Sequence, residues 1–135
     1  MRSSDIEQGA SHALTVFEIR LEGEFDLCER HRLTDAFAVA ANAAVVVVNL
    51  DRTTYIDSTA LQCLVALQIA TQRREGVLVL TGVREAVLRL FEVTNLLEFF
   101  DVRDSISDLV KSNGQMRRLT LVSQPVHDSG SVVPE

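Results

Sequence analysis

The most constraining feature of this sequence is a β-branched run at residues 44–50, which contains four consecutive valines. Apolar and polar residues do not alternate within the run. This is the pattern of a central strand that is covered on both faces. Such strands occur in parallel sheets, where helices connect one strand to the next and pack over the sheet. We therefore expect an α/β fold built around this strand.

Periodicity along the rest of the chain predicts strands and helices in alternation. Apolar residues recur at strand spacing in residues 14–21, and short apolar runs predict strands at residues 77–80 and 97–102. Helical spacing follows each strand, beginning after Asp26 for the first helix and ending near Ser112 for the last. The order β-α-β-α-β-α-β-α predicts one domain with a mostly parallel β-sheet of about four to five strands and about four helices.

Composition narrows the classes of function that fit. The chain has 135 residues, 47% of them hydrophobic and 24% charged, which suits one compact domain. The 19 acidic residues outnumber the 13 basic ones, which gives a net charge of −6. This negative charge disfavours direct binding of nucleic acid. No apolar stretch approaches the length of a membrane helix, and the start does not resemble a signal peptide. We therefore expect a cytoplasmic protein without membrane insertion.

The most informative position for function is Ser58, because a hydroxyl stands where a strand exit meets the start of a helix. Free backbone N–H groups and the helix dipole favour negative charge at such a place, so a phosphate on Ser58 could be held there. The alternative is structural. Asp57 and Ser58 compete as helix caps worth about 1 kcal/mol, and Thr59 with Gln62 matches a capping box. Spacing alone favours the capping role.

Two further interpretations, a response-regulator receiver domain and a hydrolase, are weak. Asp51 follows the central strand as a phosphate-accepting aspartate would, but the sequence has a single lysine, Lys111, and it lies at the end of the last predicted helix. A hydrolase would need a catalytic serine with His12 or His31, and the chain has no Gly-x-Ser-x-Gly elbow. We therefore expect no enzymatic activity.

Metal and redox sites are also weakly supported. Cys28 and His31 have half of the spacing of a zinc site, and only Cys63, His12 and His127 remain to complete it. A redox switch between Cys28 and Cys63 would need their Cα atoms within about 7 Å, which the sequence does not determine. We expect reduced thiols, no metal and no cofactor.

Several motifs resemble the STAS family, which includes the anti-sigma factor antagonists. They occur in the family's order over about residues 14–110. The residues that carry the resemblance are Gly23-Glu24-Phe25-Asp26, Val47-Val48-Asn49-Leu50, Tyr55-Ile56-Asp57-Ser58-Thr59-Ala60-Leu61, Val87-Leu88-Arg89-Leu90-Phe91 and Asn95-Leu96-Leu97. The resemblance implies that Ser58 is phosphorylated by a partner that is both anti-sigma factor and kinase. It also implies that only the unphosphorylated chain binds this partner productively, and thereby releases a sigma factor.

The resulting hypothesis assigns residues 13–112 to a STAS-like domain, with a flexible N-terminus at 1–12. From residue 113 onward we expect a mobile tail, residues 113–135, in which residues 119–122 can add an edge strand. The expected partners are an anti-sigma factor with serine kinase activity and a serine phosphatase. The residues expected to bind the partner are Asp26, Tyr55, Asp57, Ser58, Thr59, Leu61 and Gln62. The alternative is a subunit of a sensory or transport assembly in which Ser58 only caps its helix.

Overall fold

The computed structural model describes residues 13–107 and 118–128. Six strands, three α-helices and two short 3₁₀ helices lie within these ranges. Along the chain they are β1 (Ala13–Phe25), a 3₁₀ helix (Leu27–Glu29), α1 (Arg30–Ala40), β2 (Val45–Asn49), β3 (Thr53–Ile56), α2 (Ser58–Arg73), β4 (Val77–Thr81), α3 (Glu85–Val93), a second 3₁₀ helix (Leu97–Phe99), β5 (Asp101–Arg103) and β6 (Arg118–His127).

The strands form one sheet in the order β3-β1-β2-β4-β5, and β6 also pairs with β1. Every pairing among these strands is parallel. The predicted α/β class with a mostly parallel sheet is therefore confirmed, with one strand more than the upper expectation. Most of the predicted last helix, which ends near Ser112, lies outside the described residues, as does the predicted flexible N-terminus at 1–12.

The valine run forms β2 and is buried on both faces, as its lack of alternation predicts. On one face Val46 and Val48 join the main core, to which α1, α2 and α3 also contribute. On the opposite face Val45 and Val47 form a smaller apolar cluster. The three helices thus pack on the same side of the sheet and bring their N-terminal ends toward the edge where the strands end.

The order of elements differs from strict alternation because β3 follows β2 directly. The sequence predicts no strand between the valine run and the next helix, but Thr53 starts a strand that pairs with the end of β1. Inside β1, Gly23 does not end the strand; it adopts a positive φ of 117° at a shift in the pairing register. The chain therefore reaches α2 from a strand that lies beside β1.

Residues 118–127 correct the expectation of a mobile tail over 113–135. They form β6, which runs parallel to β1 from Ala13 to Glu22, so the alternative of an edge strand is confirmed and extended. Polar side chains help to hold β6: Ser123 donates a hydrogen bond to Glu18 at 2.8 Å, and the Asp128 carboxylate accepts one from the Glu24 N–H at 2.6 Å. Within the described ranges, no helix has both the length and the apolar character needed to cross a membrane.

Candidate functional site

Strands β1 and β3 end side by side, and this places two aspartate turns next to each other. Phe25 pairs with Ile56 in the sheet, and the N–H of Asp57 donates to the carbonyl of Phe25 at 3.1 Å. Asp26 follows Phe25 directly, just as Asp57 follows Ile56. The geometry therefore brings the turn at Asp26 alongside the turn at Asp57.

Asp57 caps helix α2. Its Oδ1 atom accepts hydrogen bonds from the N–H groups of Thr59 at 2.9 Å and Ala60 at 3.1 Å, while its carbonyl accepts from Leu61 at 3.0 Å. Among the candidates that competed for this role, the carboxylate of Asp57 therefore takes it. Thr59 lies inside the helix, so the predicted Thr59–Gln62 capping box is wrong.

Ser58 occupies the first position of α2 and is exposed. Within the part of the chain that the structure describes, its hydroxyl forms no hydrogen bond. The hydroxyl is thus neither a cap nor a buried polar group, because Asp57 already performs the capping. What remains is an accessible nucleophilic oxygen on a well-anchored helix terminus.

Ser58 lies at a groove between the start of α2 and helix α3, which we call the α3 groove. Its volume is about 580 Å³. Its lining residues are Tyr55, Ile56, Asp57, Ser58, Ala86, Val87, Arg89, Leu90 and Val93. Tyr55 is 50% exposed and Val93 is 70% exposed, so both present apolar surface to solvent at this groove. The groove therefore combines an apolar floor with one carboxylate, one guanidinium and the serine hydroxyl.

A second groove, the α1 groove, lies on the other side of α2 and has a volume of about 410 Å³. Its lining residues are Arg30, Thr34, Phe37, Ala38, Ala41, Thr59, Gln62, Cys63, Ala66, Leu67 and Ala70. Burial is the main reason that the pKa of the Cys63 thiol is raised, while a hydrogen bond with Thr34 and the charge of Arg30 lower it. The thiol therefore stays protonated at neutral pH.

The residues predicted to bind a partner are thus divided by α2. Tyr55, Asp57 and Ser58 line the α3 groove, whereas Thr59 and Gln62 line the α1 groove. The structure corrects the prediction that Leu61 binds the partner. Leu61 is only 5% exposed and packs in the main core, so it does not reach either groove. Its place in the motif reflects packing of the helix onto the sheet.

Residues of α3 complete the site, although the sequence predicted them only as a helix. Val87, Arg89 and Leu90 belong to the motif at residues 87–91 that resembles the family, without an expected role in binding, and Val93 lies outside this motif. The structure places all four along the α3 groove. The spacing of Ala86, Leu90 and Val93 could have indicated this, because apolar residues three and four positions apart share one face of a helix.

The alternative chemistries receive little support from the described residues. Both Cys28 and Cys63 are free thiols. Within these residues no group of three or more histidine, cysteine, aspartate or glutamate side chains could hold a metal ion. His12 and Lys111, on which two alternatives depended, lie outside the described residues.

Comparison with known families gives this site a context. The family model described as "Mlab, STAS domain" matches residues 9–104. The chain belongs to the STAS domain family. A relative named anti-sigma-B factor antagonist from Listeria monocytogenes is 28% identical to this STAS domain over 98 residues, which cover 71% of the chain and 86% of the relative.

Solved structures support the same fold. A sulfate transporter family protein from Wolinella succinogenes has a TM-score of 0.63 at 21% identity and covers 73% of this chain and 84% of its own. The anti-sigma factor antagonist SpoIIAA in its unphosphorylated form has a TM-score of 0.56 at 14% identity, and the match covers 73% of this chain and 89% of that chain. At these identities the likeness concerns the fold alone.

Proposed function

We propose that this STAS domain is an anti-sigma factor antagonist that binds an anti-sigma factor with serine kinase activity, and that phosphorylation of Ser58 ends the binding. While the antagonist occupies the anti-sigma factor, a sigma factor is free for transcription. One observation carries the proposal: the Ser58 hydroxyl is exposed and has no hydrogen-bond partner in the described residues, at the start of a capped helix beside an apolar groove.

The names of similar proteins favour this function over other uses of the fold. Relatives from Listeria and Staphylococcus aureus are named anti-sigma-B factor antagonist, and the fold matches an anti-sigma factor antagonist that has been solved in unphosphorylated and phosphorylated forms. Sigma factors, their regulators and ATP are cytoplasmic, so the proposed role places this chain in the cytoplasm.

In the proposed reaction the chain is a substrate and needs no cofactor of its own. The Ser58 oxygen attacks the γ-phosphorus of ATP bound by the partner kinase. A new O–P bond forms as the bond to ADP breaks, and the hydroxyl proton passes to a base of the kinase. A serine phosphatase reverses the modification by transferring the phosphoryl group to water, which restores the hydroxyl.

The effect on binding follows from charge and solvation. A phosphoryl group adds a charge of about −1.5 to −2 at neutral pH. It would stand next to Asp57, and Asp26 lies in the neighbouring turn. A partner that covers the apolar α3 groove must remove water from these anions, which is costly without compensating cations. A loss of about 1.4 kcal/mol already weakens binding tenfold.

The proposed recognition surface surrounds Ser58 on both sides of α2. Tyr55 and Asp57 would contact the partner on the side of the α3 groove, while Thr59 and Gln62 would contact it from the α1 groove. Asp26 would contact it from the turn beside Asp57. The apolar side chains at the end of α3 would supply the buried part of this interface.

Phosphorylation is tested directly with the purified chain, a candidate anti-sigma kinase and ATP. We expect the phosphate on Ser58 by mass spectrometry, and no phosphorylation of Ser58→Ala. The matched control is Ser107→Ala, which removes an exposed hydroxyl outside both grooves and should be phosphorylated normally. Phosphate on Thr59 or elsewhere, or none on the wild-type chain with any anti-sigma kinase of the source genome, would overturn the switch.

Binding separates the switch from the alternative of a structural subunit. Calorimetric titration of the anti-sigma factor with both forms should show at least about tenfold weaker binding after phosphorylation. Equal affinities would reject the switch and favour a constant subunit of a larger assembly, in which Ser58 has no regulatory role. Ser58→Ala should bind as tightly as the unphosphorylated chain because it carries no charge.

A further inference from the structure

We propose that Arg89 on helix α3 is the counter-ion that holds the phosphoryl group of Ser58 inside the α3 groove. This inference rests on the proposed phosphorylation of Ser58 and adds how the modified state is stabilised within the chain. Arg89 and Ser58 line the same groove, from opposite elements. The phosphoryl group would thus bridge α2 and α3 and fill the groove that a partner needs.

The start of α2 offers too few donors to hold a phosphate by itself. Backbone N–H groups at a helix N-terminus are the usual ligands for phosphate. Here the Asp57 side chain already accepts from Thr59 and Ala60, and the Asp57 carbonyl accepts from Leu61. Of the first four N–H groups of α2, only that of Ser58 is left. The carboxylate beside it repels an added anion, so a cation from another element would stabilise the doubly charged phosphate.

Arg89 is available for this role. In the part of the chain that the structure describes, it forms no ion pair, although Glu85 and Glu92 lie one turn away on its own helix. A guanidinium presents a planar set of donors that fits the oxygens of a phosphate, and it binds them more strongly than a neutral donor. Arg89 is exposed, and an arginine side chain has several rotatable bonds, so it can turn toward Ser58 when the phosphate appears.

Two other arginines provide matched comparisons, because neither lines the α3 groove. Arg30 belongs to the α1 groove, on the other side of α2. Arg84 lies at the start of α3, in a depression that Arg89, Thr53 and Thr54 also line but Ser58 does not. Arg89 thus lines both this depression and the α3 groove, whereas Arg84 lines only the depression. All three are exposed, so replacing any of them with glutamine removes one positive charge without opening the core.

The test uses the full chain with phosphoserine introduced at position 58 by genetic code expansion, so no kinase is needed. Phosphorus NMR then follows the second ionisation of the phosphate, which lies near pH 6 for a free phosphoserine. A nearby guanidinium favours the doubly charged form and lowers this pKa. We expect Arg89→Gln to raise the phosphate pKa by about half a unit, and Arg89→Lys to restore most of the shift.

The controls decide between Arg89 and a general effect of charge. Arg30→Gln and Arg84→Gln should each leave the phosphate pKa within about 0.1 unit of the wild-type value. Circular dichroism establishes that each variant is folded. An Arg89→Gln shift no larger than the controls, or a larger shift from Arg30→Gln, would overturn the inference. Because the phosphate is installed without a kinase, this failure would leave the proposed partner and its reaction untouched.

Discussion

The turns at Asp57 and Asp26 have the same construction but expose different side chains to solvent. In both, a strand ends in a buried apolar residue, an aspartate follows, and its carboxylate accepts backbone N–H groups of the next turn. Asp57 binds two N–H groups and leads straight into the 16-residue helix α2. Asp26 binds one N–H group, that of Cys28, and leads into a 3₁₀ helix before α1 begins.

The difference lies in the residue that follows each aspartate. After Asp57 comes Ser58, a small hydroxyl on a rigid helix start. After Asp26 comes Leu27, which is 63% exposed. Because the aspartate supplies the cap, the side chain of the next residue is not needed for capping. That side chain is therefore available for contact with a partner or for modification. One turn thus presents a reactive oxygen and its neighbour an apolar surface.

The largest expected effect concerns Gly23, which lies in β1 just before the turn at Asp26. Gly23 has a φ of 117°, and a Cβ there would collide with the carboxylate of Asp128. The turn at Asp57 depends on no such glycine. Gly23→Ala should lower the free energy of unfolding by about 3 kcal/mol, because it combines a strained backbone with a displaced carboxylate. Urea unfolding followed by circular dichroism measures the loss.

A double variant separates the two causes. In an Asp128→Ala background the colliding carboxylate is gone, so Gly23→Ala should cost less than in the wild-type chain, leaving only the backbone strain. Equal costs in both backgrounds would mean that Asp128 moves aside freely. A loss below about 1 kcal/mol for the single variant would contradict the claim that this turn depends on the glycine.

The two caps should differ in strength. Asp57→Ala removes two hydrogen bonds and should lower the free energy of unfolding by about 1.5 kcal/mol, whereas Asp26→Ala removes one and should lower it by about 0.7 kcal/mol. Asp57→Asn keeps an acceptor at the same place and is the matched control, with a cost near zero. Chemical denaturation of the three variants checks the ranking, and a more costly Asp26→Ala would reverse it.

Local patterns were enough for much of the fold. The valine run predicts β2 and its burial on both faces. Asparagine is a residue type that favours a positive φ after a helix, and Asn95 has a φ of 61° just beyond α3. In contrast, β3 and β6 are strands because of what they pair with. Thr53 follows a polar turn and joins the end of β1, and residues 118–127 pair with residues 13–22 over a separation of about one hundred positions. Short-range periodicity does not contain such pairings.

The candidate site was also predictable only where its residues are close together in the sequence. Its motif residues Tyr55, Asp57 and Ser58 are close in sequence and remain together in one groove. Arg89 comes from a different element, so only the packing of α3 against β3 brings it to that groove. Leu61 shows the opposite error, because a residue within a functional motif can belong to the core.

The smallest expected effect on the free energy of unfolding concerns the Ser58 hydroxyl in the turn at Asp57. If Asp57 does all the capping, Ser58→Ala should change the free energy of unfolding by less than about 0.3 kcal/mol, since the lost hydroxyl forms no hydrogen bond in the described residues. Thr53→Val is the reference, because the buried Thr53 hydroxyl donates to the Leu21 carbonyl at 2.7 Å and its loss should cost about 1 kcal/mol.

Denaturant titrations of Ser58→Ala and Thr53→Val under identical conditions give both values. If Ser58→Ala proved as costly as Thr53→Val, the Ser58 hydroxyl would be part of the cap, and phosphorylating it would disturb the helix that presents it. If the cost is negligible, the stability of the turn and its modification are independent. A carboxylate that caps and a hydroxyl that is modified can then stand side by side, so the charge at the surface changes while α2 stays intact.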